Sequence, residues 1–244
     1  MIQGLYPIFN HWHKEGTLYI YSDPHFNDPE LKEGINRPTA DELVQKINSK
    51  VGRKDTIIFL GDICDTSYIK QIRGYKVLIM GNHDAGRTNY ERQKWTKIID
   101  KDKYTRNEAI LEMQKEYPNC NYTISISYDF HAPFEYWHII ADNQLFDEVY
   151  EGPVMIGEKL ILSHEPVNIP WAFNIHGHCH DSRHKNDKYH FNVCADVINY
   201  LPINMNQWMK EGHLSHVESI HRQTIDIANA RAKKRGYKLG QNKK

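Results

Sequence analysis

No stretch of this 244-residue chain is long and apolar enough to cross a bilayer. The longest runs, such as Ile57 to Leu60 and Val77 to Met80, fall far short of the roughly 20 residues required. Net charge is also missing. Thirty-one basic residues balance 31 acidic ones, which argues against a dedicated nucleic-acid binder, whose footprint needs a basic excess. Cysteine is scarce: Cys64, Cys120, Cys179 and Cys194 form no C-x-x-C pair, and a chain of this length needs no disulfide staples. They read as small apolar residues near the core of a protein in a reduced compartment. Ten Pro and 14 Gly are too few for a disordered or fibrous chain. Met1 to Trp12 show no basic segment leading into an apolar one, so no secretory signal is expected and a cytoplasmic location is. Histidine is the exception. Its 15 copies exceed what an average chain of this size carries.

The first third alternates strand-like and helix-like patterns. Thr17 to Tyr21, Asp55 to Leu60 and Tyr75 to Met80 are short apolar runs that stop at Ser22-Asp23, Gly61 and Gly81. Between them, Thr39-Ala40-Asp41-Glu42 has the form of a capping box opening a helix to about Lys50, and Ser67 to Arg73 reads as a short helix. Continuous apolar runs with helices between them suit a mostly parallel sheet covered on both faces. From Gly86 to about Gln144 the character changes: charges are dense, a second capping box starts at Thr105, and Tyr122 to Tyr128 alternates as a half-exposed strand. This segment is expected to be an insertion or cap (about 86–144) in a catalytic domain spanning 1–203. Strands resume at 154–156, 159–162, 172–175 and 190–193. Residues 204–244 are expected to form a helical extension ending in a basic, frayed tail from Arg231.

Five short segments carry chemistry: Asp23-Pro24-His25, Gly61-Asp62, Gly81-Asn82-His83-Asp84, Ser163-His164 and Gly177-His178-Cys179-His180. Each falls where a strand-like run stops, and ligands of α/β sheets bind at the carboxyl ends of strands. Asp, Asn and His together suit Mn, Fe or Zn better than Ca or a structural cysteine–zinc site. In an extended stretch residues i and i+2 face the same way, so Asp23 with His25, and His178 with His180, are each expected to present both side chains to one cavity. Asp62, flanked by glycine, is the natural carboxylate to bridge two ions. His176 reads as a packed strand histidine, and Cys179, pointing away from its neighbours, as a buried thiol. The aromatic group Phe130, Phe134, Tyr136 and Trp137 reads as core of the insertion. His11, His13, His184, His190, His213, His216 and His221 lack ligand-like spacing and read as surface or packing residues.

Taken in this order, the five segments resemble the calcineurin-like metallophosphoesterase superfamily, with its D-x-H, GD, GNH-D/E, H and GH-x-H pattern. Glycine, Asn, His and Asp in that run alone have a chance of appearing on the order of 10⁻³ in such a chain. The segment from Phe191 to Val197, with Tyr200-Leu201-Pro202, resembles the closing strand of small bacterial and phage-type members. Two departures are visible: Cys194 stands where those members show Gly, and Asn27-Asp28 where they often carry Gly-His. The resemblance covers about residues 17–84 and 145–200.

The resemblance implies an α/β sandwich of two mixed β-sheets flanked by helices. It also implies two divalent metal ions (Mn, Fe or Zn, with manganese favoured). Asp23, His25 and His180 would hold the first, Asn82, His164 and His178 the second, and Asp62 would bridge them. His83 would face the leaving oxygen and Asp84 would orient its ring. Two cations about 3.5–4 Å apart lower the pKa of a bridging water, giving a hydroxide that attacks phosphorus in line. The implied activity is that of a phosphodiesterase acting on a small phosphate-ester or nucleotide-like substrate, with no membrane partner. A phosphomonoesterase (nucleotide or protein phosphatase) is the alternative. A nuclease ranks lower because of the zero net charge, and a non-catalytic scaffold because His83 and every metal position are present.

Overall fold

The computed structural model describes residues 4–31, 37–84, 90, 92–128, 135–180 and 187–235. Phe130, Phe134, His184 and the end of the basic tail from 236 lie outside them. By contacts the chain forms two compact units, Met1–Ala85 with Tyr150–Lys244, and Gly86–Val149.

In chain order the elements are β1 (Leu18–Tyr21), α1 (Ala40–Asn48), β2 (Thr56–Phe59), β3 (Tyr75–Ile79), β4 (Lys94–Asp100), α2 (Arg106–Glu116), β5 (Asn121–Tyr128) and β6 (Glu135–Asp142). Then follow β7 (Glu148–Tyr150), β8 (Val154–Gly157), β9 (Leu160–Leu162), β10 (Phe173–His176), β11 (His190–Asn192), β12 (Ile203–Asn204), α3 (Met205–Lys210) and α4 (Ile220–Lys234).

The larger unit is a sandwich of two mixed sheets. In the first, β1, β2 and β3 run parallel, β12 joins β1 antiparallel, and Met80 N–H donates to the Tyr150 carbonyl at the far edge. In the second, β9, β10 and β11 run parallel and β8 is antiparallel to β9. Alternate residues of the first sheet (Leu18, Ile20, Ile58, Leu60, Val77, Ile79) meet Ile156, Leu160, Leu162, Phe173 and Ile175 of the second in one buried core. The other face of the first sheet, with Ile57, Phe59 and Leu78, is buried too. Burial on both faces is why these strands read as unbroken apolar runs. The Thr39–Glu42 capping box forms as expected: Thr39 Oγ1 accepts from Glu42 N–H, and Glu42 accepts from Thr39 N–H at 2.8 Å.

The short helix expected over Ser67 to Arg73 is a 3₁₀ helix, Thr66–Gln71, capped by the Asp65 side chain accepting from Ser67 N–H. The segment from Asn204, expected as an extension, is partly core. Ile203–Asn204 pairs with β1, while Met205, Trp208 and Val217 are buried against both sheets. The exposed helix α4 buries no residue.

The smaller unit is an antiparallel sheet in the order β4-β6-β5, with α2 contributing Ala109 and Met113 to a core with Ile99, Ile139 and Ala141. Trp137 packs against that core and its indole N–H donates to the Tyr104 carbonyl at 2.8 Å. Tyr136 is half-buried. Among the described residues no helix is long and apolar enough to cross a membrane.

Candidate metal centre

All five strand-end segments belong to the larger unit. Asp23 follows β1, Asp62 follows β2, the 81–84 segment follows β3, His164 follows β9, and His178 and His180 follow β10. Main-chain bonds tie the first two loops together: Asp23 N–H donates to Gly61 O, His25 N–H to Asp62 O and Phe26 N–H to Ile63 O, at 3.2, 3.0 and 3.0 Å. Ligand atoms of Asp23, His25 and His180 gather within 4.8 Å of one another, as do those of Asp62, His164 and His178.

The expected alternation is not how these side chains converge. Asp23, His25, Asp62 and His178 have φ of 55°, 40°, 55° and 64°, so neither D-x-H nor H-x-H is extended. The left-handed conformation swings each side chain out of the strand direction and into the crevice. Asp and His enter that region more readily than most residues, at a cost of about 1–3 kcal/mol each, and such strain gathers at functional sites. Glycine supports the arrangement at two points. Gly61 has φ of 89°, and a Cβ on Gly177 would overlap Ser22 Oγ and Asp23 Oδ2.

Hydrogen bonding fixes which nitrogen each imidazole presents. His164 Nδ1 lies 2.7 Å from the Leu60 carbonyl, which can only accept, so Nδ1 carries the proton and Nε2 faces the crevice. His25 Nδ1 is 2.7 Å from Asp28 Oδ2, and His180 Nδ1 is 2.6 Å from Asp196 Oδ2. Carboxylates and carbonyls in this position are what orient metal-binding histidines. Asp28 and Asp196, which hold these two rings, were not singled out by the sequence reading. Asp28, in one of the two departures from the family pattern, has a structural use as the partner of His25.

The inward atoms are nearly all acceptors. His164 Nε2 lies 2.9 Å from Asn82 Oδ1, 3.1 Å from His178 Nδ1 and 3.3 Å from Asp62 Oδ2. Among the described residues, His25 Nε2 is buried with no hydrogen bond, 3.4 Å from the same Asp62 oxygen and 4.0 Å from Asp23 Oδ1. His180 Nε2 is 3.8 Å from Asp23 Oδ1. Lone pairs converging at these distances repel unless a cation, metal or proton, lies among them. These donors therefore fit divalent ions, and Asp62 Oδ2 is faced by imidazoles of both groups.

Without metal, protons are the available cations. Burial alone would lower His25, but its contacts with Asp62, Cys64 and Asp28 outweigh this and raise it to about 10. His164 is raised for the same reason: burial opposes, and Asp62 and neighbouring charges prevail. A site protonated at neutral pH must lose protons to take a metal ion, so metal affinity is expected to fall as pH falls. The expected slope is about tenfold per pH unit for each proton displaced. Calorimetry with Mn²⁺ at pH 7, in buffers of different ionisation enthalpy, should show proton release; heats that do not depend on the buffer would contradict it.

His83 and Asn82 are exposed. The His83 ring stands 5.2 Å from that of His25, and its main-chain N–H donates to Asp62 Oδ1 at 3.0 Å. Asp84, expected to orient the His83 ring, is fully buried and directs its two oxygens at three main-chain N–H groups: Asp62 at 2.7 Å, Gly81 at 2.9 Å and Ile63 at 3.1 Å. His176 is buried on β10, with Nδ1–H donating to the Gly177 carbonyl at 2.8 Å. Cys179, expected to be buried, is half-buried, as are Cys64 and Cys120; Cys194 alone of the four is buried.

The family model for calcineurin-like phosphoesterases matches residues 16–205. The chain belongs to that family, and is therefore a metal-dependent phosphoester hydrolase in the general sense. No curated protein matches it. A solved structure of a protein of unknown function from Aquifex aeolicus is 20% identical, covering 80% of this chain and 98% of its own, with a TM-score of 0.46.

Proposed function

We propose that the protein is a phosphodiesterase working with two divalent cations, manganese favoured. The observation that carries this reading is the pair of ligand groups turned toward one oxygen of Asp62. Asp23, His25 and His180 would hold one ion, Asn82, His164 and His178 the other, with Asp62 between them. When bound, such a pair supplies Lewis-acid polarisation of a phosphate oxygen and activation of water at neutral pH.

The chain's own residues do the rest. Asp28, Leu60 O and Asp196 fix the imidazoles so that the inward nitrogens need not reorganise during turnover. His83, exposed and held by its main-chain bond to Asp62, would give a ring proton to the departing alkoxide. Asp84 is a positioning residue, joining the loops that carry Asp62 and His83. The larger unit would be the catalytic domain, acting on a small or nucleotide-like ester.

The test is hydrolysis of bis-p-nitrophenyl phosphate, and of p-nitrophenyl phosphate, by chelator-stripped protein before and after Mn²⁺ is added. Metal-restored turnover that is faster on the diester is expected. Faster turnover of the monoester would favour the phosphatase alternative, and none on either would end the enzymatic reading. His83→Gln should lose 10²–10⁴-fold, roughly, on alkyl esters, whose leaving group needs a proton, and much less on nitrophenyl esters. Equal losses on both would remove His83 from that role.

A further inference from the structure

We propose that Arg37 is a positioning residue that locks two candidate ligands of one ion, Asp23 and His180, into a fixed relation, reaching His180 through Asp196. The inference rests on the two-cation reading above.

Arg37 lies just before α1, and its side chain is only 7% exposed. Its Nη2 donates to the main-chain carbonyl of Asp23 at 2.6 Å, the carbonyl of a residue in the left-handed conformation. Its Nε lies 3.2 Å from Asp196 Oδ1, and the other oxygen of that carboxylate is 2.6 Å from His180 Nδ1. The Tyr200 hydroxyl donates to Asp196 Oδ1 at 3.0 Å, and the guanidinium stands 5.9 Å from the Tyr200 ring. One side chain thus braces Asp23, on the β1 loop, against His180, which follows β10 far along the chain.

Stability alone does not account for this position. Among the described residues, Nη1 is buried with no partner, and Nε, despite its nearness to Asp196, lacks an aligned hydrogen bond. A buried guanidinium with unmet donors is a poor way to hold a fold together, and a well-packed neutral side chain would serve at least as well. A rigid, permanently charged fork that contacts a carbonyl and a carboxylate at once is what bracing two ligands requires. The direct contacts of Arg37 concern one ligand group, and the other meets that group where His178 N–H donates to the Asp23 carboxylate at 2.9 Å. In the other, His164 takes its orientation from the Leu60 carbonyl, while Asn82 and His178 contact His164 directly.

The test measures Mn²⁺ binding to chelator-stripped full-length protein by calorimetry, with the paramagnetic resonance spectrum of the coupled ion pair as a second readout. Arg37→Met should weaken one of two equivalents by about 10–100-fold, the usual effect of losing an outer partner, and leave the other within about twofold. The coupled-pair signal should then vanish at metal levels that saturate the wild type. Arg37→Lys, a point charge without the fork, should fall between. In an Asp196→Asn background the Arg37→Met effect should shrink well below additivity, since the path runs through that carboxylate. Should Arg37→Met fail to fold, Tyr200→Phe removes a single bond to the same oxygen and should weaken the same equivalent by a smaller factor. Two equivalents at wild-type affinity in these variants, or equal weakening of both, would overturn the proposal while leaving the two-cation reading intact. A wild-type protein that binds no Mn²⁺ would overturn both.

Discussion

Asp62→Asn is expected to abolish metal-dependent turnover, with a loss on the order of 10³-fold or more, while the protein stays folded. Its Oδ2 is the oxygen that the imidazoles of His25 and His164 share, at 3.4 and 3.3 Å. Burial alone would raise its carboxyl, but the contacts with His164 and His25 hold it far below the usual carboxylate range. It is therefore an anion at every pH where the enzyme could work. The amide removes that charge and would leave a weak, neutral ligand between the two proposed cation positions. The fold should tolerate it because an amide oxygen can still accept from His83 N–H, the bond that Oδ1 makes now. Calorimetric stoichiometry with Mn²⁺ should drop from two, and turnover of bis-p-nitrophenyl phosphate should vanish with it. Two ions bound and wild-type rates would refute any bridging role.

Asp84→Ala should be the most damaging change to stability. Its carboxylate is the acceptor for the N–H groups of Asp62, Ile63 and Gly81, all in the interior. Leaving buried donors without partners costs about 1–3 kcal/mol each, so a total loss on the order of 4 kcal/mol follows, lowering the melting temperature by roughly 10 °C. Asp84→Asn keeps one oxygen and should fall between. Because the loops after β2 and β3 are joined here, metal binding should weaken alongside. A melting temperature within a degree or two of wild type, measured by circular dichroism without metal, would show that these amides find other partners.

Much of this was legible in the sequence for identifiable reasons. Strands β1, β2 and β3 are buried on both faces and so appear as apolar runs, and each delivers an Asp or Asn where it stops. The capping boxes at Thr39 and Thr105 declare their helices through local chemistry alone. What escaped notice depends on distance or on backbone choice. Asp and His are compatible with both extended and left-handed backbones, so nothing local announced the turn at Asp23, His25, Asp62 and His178. Asp196 lies 16 positions from His180 and Arg37 still farther, with no periodicity to pair them. Asp28, three residues from His25, offered the nearest thing to a signal. The pairing of Ile203–Asn204 with β1 is a non-local register that polar composition near the C-terminus concealed.

The left-handed backbone at four of the seven candidate ligands bears on how such a chain can drift. Most replacements there meet two separate penalties, one from lost chemistry and one from sterics at the α-carbon. Gly escapes the second, and Asn, Asp and His feel it less than other residues do. A descendant that had given up hydrolysis would still feel the steric demand, and would keep to Gly, Asn, Asp or His at positions 23, 25, 62 and 178. The geometry would thus outlive the activity, as a fossil written in the backbone.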